Sequence, residues 1–192
     1  MRVFIQLIFL LLLLFSCATR SQKDYVKLVI PESLKNNKVA VEKLQEDAEQ
    51  LNKVFNSMDD LFEDILSIRE DLEKFDSTSS YTWFEIKMNY RKIMIQKSFA
   101  KIAFNVMWYA GKDILSGDTI MITKMNEGDR VIYKKCLMHI SLQKDLLSKR
   151  FDEISAGMDS LNKELDEKMP LLKKMKNEHL KATEKDSISL NK

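Results

Sequence analysis

The chain has 192 residues, of which 31 are basic and 29 acidic, for a formal net charge of +2. That length suits one domain with its own hydrophobic core, and the even charge balance gives no global field to gather nucleic acid. Four glycines and two prolines leave little turn punctuation, plentiful Leu, Lys, Glu, Met and Ile favour long helices, and two cysteines exclude a disulfide-stapled miniature.

The chain opens with Met1-Arg2 and an apolar run from Val3 to Phe15 that only Gln6 interrupts, followed by Ser16-Cys17. A basic start and an apolar stretch this short match an export signal rather than a membrane span of about twenty residues. Leu14-Phe15-Ser16-Cys17 resembles the lipobox of bacterial lipoproteins, with an aliphatic residue three before the cysteine and a small one just before it. Phe15 is bulkier than usual at its position, a looseness similar to spirochaetal lipoboxes. The resemblance implies cleavage after Ser16, diacylglycerol on the Cys17 sulfur and acylation of the new amine. It places the protein on a bacterial membrane, at the outer membrane or cell surface. Two or three acyl chains hold a protein there essentially permanently, since each buried methylene contributes roughly 0.8 kcal/mol. The alternatives are an uncleaved signal anchor, which would use the same apolar run, and a plain secretory signal, which would want an Ala-x-Ala-like site that is absent.

Residues 1–16 are thus expected to be a signal peptide and 17–32 a lipidated tether, small and polar to about Lys23 with a short extended piece from Tyr25 to Pro31. A bundle domain follows over 33–182, and 183–192 read as a disordered tail. From Ser33, a predicted N-cap, Leu34, Val41, Leu44, Ala48, Leu51, Phe55, Met58, Phe62, Ile65 and Leu72 mark a long first helix in heptad steps. Val54, Leu61, Ile68 and Phe75 widen that stripe, so the helix should pack against two neighbours, with an acidic outer face that includes Asp47, Asp59, Asp60, Glu63 and Asp64. After the turn Asp76–Ser80, with Ser79 or Ser80 as cap, a second helix runs to about Leu115. It is apolar over most of its surface and basic in its charges, and is expected to be the central helix, paired with the acidic first one as an antiparallel hairpin. Thr119–Thr123 alternates like a strand and Asn126–Asp129 can turn a hairpin; a short helix or loop is preferred because a lone hairpin is marginal. A third long helix follows from about Asp129 to Met169, with Leu147, Phe151, Ile154, Met158, Leu161 and Leu165 in heptad steps. Pro170 should break or kink it before a last amphipathic piece, 171–181. The expected fold is therefore all-α: an elongated antiparallel bundle of three to four main helices with coiled-coil-like heptads.

Few residues suggest chemistry. Cys136 and His139 stand three apart on a predicted helix, a spacing that puts thiol and imidazole on one face. Two ligands do not make a metal site, and a cysteine among Leu137, Met138 and Ile140 reads as a small core residue. The run Asp59-Asp60-Glu63-Asp64 lacks the glycine turn and alternation of a calcium loop and reads as a solvated face. Trp83, Trp108 and Tyr109 with the methionines suggest a hydrophobic ligand, but such side chains also fill ordinary cores. No motif for phosphate binding, nucleophilic catalysis or zinc hydrolysis occurs. The sequence reading is a non-enzymatic binding or adaptor module, held to a membrane by Cys17, with a protein partner, no nucleic acid and no cofactor. It resembles small helical surface lipoproteins of spirochaetes in its lipobox, low glycine content and bundle-like pattern. The rival readings are a self-associating coiled-coil envelope protein, a homo-oligomer, and a carrier of a hydrophobic small molecule.

Overall fold

The computed structural model describes residues 22–76, 80–112 and 119–190. Among these there is no strand, and the elements are α1 (Glu32–Lys35), α2 (Lys38–Glu73), α3 (Tyr81–Gly111), α4 (Thr119–Lys124) and α5 (Glu127–Leu190). The fold is an all-α bundle of three long helices. The expected signal segment, Cys17 and residues 77–79 of the expected turn lie outside the described residues.

Contacts at successive levels fix the topology. Asp71 of α2 meets Arg91 and Asp47 meets Lys112, so α3 runs antiparallel to α2. Tyr81 donates to the Met169 carbonyl at 3.1 Å and Phe99 stacks on Phe151 at 5.2 Å, so α5 runs antiparallel to α3. Arg150 reaches Asp59 and Arg69 reaches Ser160 and Glu164. Helix α5 therefore runs parallel to α2, and the order is up, down, up. Both neighbours of α2 are present, as its widened stripe required. It buries Leu44, Leu51, Met58, Leu61, Ile65 and Ile68 almost completely. Val54, Leu61 and Ile68 lie inside while Phe62, expected within the seam, is exposed. In α5, Leu147, Ile154, Met158, Leu161 and Leu165 are buried at the expected heptad steps.

Helix ends differ from the sequence reading where a local polar group intervenes. Ser33 does not cap the long helix. It lies within the four-residue α1, and Asn37 caps α2 by accepting from the Ala40 amide at 3.2 Å. Ser80 stands at the N-cap of α3 without a side-chain capping bond, and α3 ends at Gly111 rather than near Leu115. The stretch that alternated like a strand is the short helix α4. Asn126 then caps α5, its Oδ1 accepting from the Asp129 amide at 2.8 Å. Pro170 does not end α5. It removes one amide donor at an exposed position, where the carbonyl left over can meet solvent. The helix continues to Leu190, through residues 183–190 where the sequence predicts a disordered tail. Because α3 begins level with Met169, the last twenty or so residues of α5 extend about 30 Å past its partners.

Residues 23–31, expected as part of the tether, form an extended strap docked on the bundle. Two amides of α2, one turn apart, hold it as a neighbouring strand would. Asn56 accepts from the Lys23 amide at 2.8 Å and donates to the Lys23 carbonyl at 2.9 Å. Asn52 accepts from the Val26 amide at 2.7 Å and donates to the Asp24 carboxylate at 2.8 Å. Val26 is buried, and Tyr25 stacks on Phe55 with 5.0 Å between ring centres. Further along, Lys27–Val29 and Pro31 face Ile132, Lys135 and Cys136 of α5 across a shallow groove. The strap thus fills one groove of the α2–α5 pair, and α3 fills the other.

Helix α3 is not central. It buries Tyr81, Met88, Ile95, Ile102 and Tyr109, one residue every seven, together with Val106, and leaves its opposite side uncovered. An aspartate at Ile102, which is 2% exposed, should cost more than about 3 kcal/mol by burying an unpaired charge. The same change at exposed Ile86 should stay within about 0.5 kcal/mol. Thermal melts of the two variants check this, and equal melts would mean the inward face is misassigned.

Candidate functional site

Asp59 joins three parts of the chain. Its side chain is 16% exposed and accepts from Arg150 at 2.8 Å, from Lys23 at 2.9 Å and from the Tyr25 hydroxyl. The carboxylate expected on a solvated face is therefore a latch between strap, α2 and α5. Asp60 and Glu63 remain exposed. Burial acts to raise the pKa of Asp59, but hydrogen bonds from Tyr25, Lys23 and Arg150 outweigh it and hold the carboxyl below its ordinary value. Asp47, also expected outside, is buried at 3% and pairs with Lys112 at 2.5 Å and Lys43 at 3.5 Å. Lys112 also lies over the Trp108 ring, and Tyr109 donates to Gln50 at 2.8 Å. Burial, aided by the charges of Asp47 and Glu46, pushes the Tyr109 phenol far above its usual range. It remains a neutral donor. This cluster fixes the end of the α2–α3 pair and presents no reactive group.

Cys136 and His139 both line a groove between the strap and α5. Cys136 is buried and burial pushes its thiol up, away from the thiolate that nucleophilic or metal chemistry requires. His139 is exposed at the rim. Among the described residues no group of three or more His, Cys, Asp and Glu is placed to hold a metal, and no helix is long and apolar enough to cross a membrane.

The feature that stands out is the outer face of α3. Trp83, Ile86, Tyr90, Ile93, Phe104 and Met107 are between 51% and 74% exposed and follow one another in steps of three and four, with Lys97 and Ala100 filling the steps between. They form a heptad seam with no helix of this chain against it, about 36 Å long. Trp83 and Trp108, which suggested a ligand, stand on this surface rather than around an interior cavity. Shallow apolar hollows flank it, one lined by Trp83, Phe84, Ile86 and Tyr90, another by Val54, Phe104 and Trp108. Scattered exposed apolar side chains are ordinary on a soluble surface, whereas a continuous row at helical spacing marks an interaction face. The sequence carried a signal for this: apolar residues on α3 outnumber what one face holds, and they fall into two interleaved heptad series.

No protein-family model matches the chain, and neither a curated protein nor a solved structure matches it.

Replacing Asp59 with Asn should loosen the strap at a cost of roughly 1–3 kcal/mol. Because the folded-state pKa is depressed, the latch contributes fully above the unfolded carboxylate value near 4 and is lost as pH falls through the folded value. Wild-type melting should therefore drop on acidification below about pH 4 more steeply than that of Asp59→Asn. At neutral pH, trypsin should cut after Lys23 and Lys27 faster in the variant. Identical acid profiles would show that Asp59 does not latch the strap.

Proposed function

We propose that this protein is an exported, lipid-anchored helical module of a bacterial envelope that binds another macromolecule through the outer face of α3, without enzymatic chemistry of its own. The uncovered heptad seam of α3 is the observation that carries the binding part of this reading. The rest of the surface is rich in charge, and an apolar row of this length in water stabilises nothing unless it is covered in use. The lipobox-like Leu14-Phe15-Ser16-Cys17 supports the anchoring part. A self-associating envelope protein is the second reading, favoured by the heptad register of the same seam. The Trp residues give the carrier reading less support, because they lie outside the core.

Anchoring is tested by fractionation. The wild-type chain should sediment with membranes and incorporate labelled palmitate, and Cys17→Ala should be unlabelled and soluble. A variant that stays in the membrane would establish an uncleaved apolar anchor instead.

A further inference from the structure

We infer that the outer face of α3 is the docking site for an acidic amphipathic helix of a protein partner, whose carboxylates meet Lys97 and Lys101. This inference rests on the binding and anchoring reading above and names the chemistry of the partner.

Charge on and around the seam carries the argument. Helix α3 holds Lys87, Arg91, Lys92, Lys97 and Lys101 against the single acid Glu85. Lys87, Arg91 and Lys92 turn toward the bundle, where they pair with Asp71 and Asp166. Lys97 and Lys101 are exposed and have no ion-pair partner among the described residues. Lys97 occupies a seam position itself, with Tyr90 and Ile93 on one side and Phe104 and Met107 on the other. A partner helix lying along the seam gains apolar contact over both halves and sets its middle against two ammonium groups. A carboxylate there is the complement, and an apolar or basic residue leaves charge desolvated without a counter-ion.

The same charges weigh against the other occupants. In a second copy paired along the seam in parallel and in register, Lys97 lies opposite its own equivalent, a like-charge contact; in the antiparallel pair that overlaps Trp83 to Met107 it faces Ile93, which covers an ammonium group without giving it a counter-ion. A helix lying in a membrane interface keeps its lysines on the flanks, where they reach the headgroups. Here they stand in the middle of the apolar row and would point into the acyl layer. The anchor geometry argues the same way. The strap enters the bundle at Lys23 in the groove opposite α3, and the six residue steps from Cys17 span at most about 20 Å. A lipid on Cys17 therefore draws the strap side toward the bilayer and leaves the α3 seam facing away from it.

The test uses the chain from residue 17 with Cys17→Ser, which contains every described residue, and reads the emission of its two tryptophans, Trp83 and Trp108. Three probes are compared: a helical peptide of about four heptads with leucine seams and glutamate flanks, the same peptide with lysine flanks, and vesicles of phosphatidylcholine with phosphatidylglycerol. The acidic peptide should bind saturably, shift the emission to shorter wavelength and bind at least about tenfold more tightly than its basic counterpart. The double variant Lys97→Glu, Lys101→Glu, altered only at exposed positions, should melt like the wild type and reverse that preference. Failure of the acidic peptide to bind, equal binding of the two peptides, or an unchanged preference in the double variant overturns the inference. An equal shift with vesicles assigns the face to a membrane, and sedimentation as a dimer assigns it to a second copy. Either result also overturns the inference. None of these outcomes depends on fractionation of Cys17→Ala, so anchoring and partner chemistry fail separately.

Discussion

A bundle of three long helices can bury only the side of each helix that faces the other two, and that limit governs this molecule. Helix α2 has one dominant apolar side and uses its extra width on the strap, while α5 buries one side and leaves Val131, Met138, Leu142 and Leu146 about half exposed. Helix α3 has two. One, from Tyr81 through Met88, Ile95 and Ile102 to Tyr109, closes the core. The other faces solvent because the chain has no fourth long helix to lay along it among the described residues. Burial of the first side stabilises the fold, roughly 25 cal/mol for each square ångström of apolar surface removed from water. The exposed side offers the same gain to whatever covers it.

The strap solves the corresponding problem for α2 and α5. Its backbone would be costly to bury without partners, and Asn52 and Asn56 supply donor and acceptor in strand-like fashion. Asp59 then ties Lys23, Tyr25 and Arg150 together at the level where the strap enters. Such a half-buried ion cluster adds little net stability, since desolvation offsets much of the attraction, but it fixes which groups meet. The consequence is directional: the N-terminal end leaves the bundle on the side away from α3. On the function proposed above, this would set one side toward the anchor and the other outward, as a tethered binding module requires.

Much of this architecture was legible in the sequence. The heptad series of α2 and α5 gave the all-α class, the pairing of three helices and most of the core, because periodic burial is written directly in residue order. The acidic and basic character of α2 and α3 likewise predicted their contact, seen at Asp71 and Asp47. Burial of α3 was misjudged because an all-apolar helix looks the same whether two neighbours enclose it or one side awaits a partner. The extended piece from Tyr25 to Pro31 is legible in the sequence, but its docking is not, because its anchors are polar: Asn52, Asn56 and Asp59 interrupt the apolar pattern and read as surface. Pro170 does not break α5, since the amide it removes lies at an exposed position where the unpaired carbonyl can meet solvent. Cys136 was read correctly as a small buried side chain.

The central claim is that the outer face of α3 is open in the isolated protein and covered in the cell, and methionine oxidation measures this directly. Met107 is 72% exposed and Met88 1%, so brief peroxide treatment of purified protein should oxidise Met107 and spare Met88. In intact cells, with the extent of labelling set by exposed Met175 on the projecting end of α5, Met107 should be protected severalfold while Met88 stays unmodified. If Met107 oxidises as readily in cells as in the purified chain, the face is not covered and the account of α3 as a binding surface is wrong.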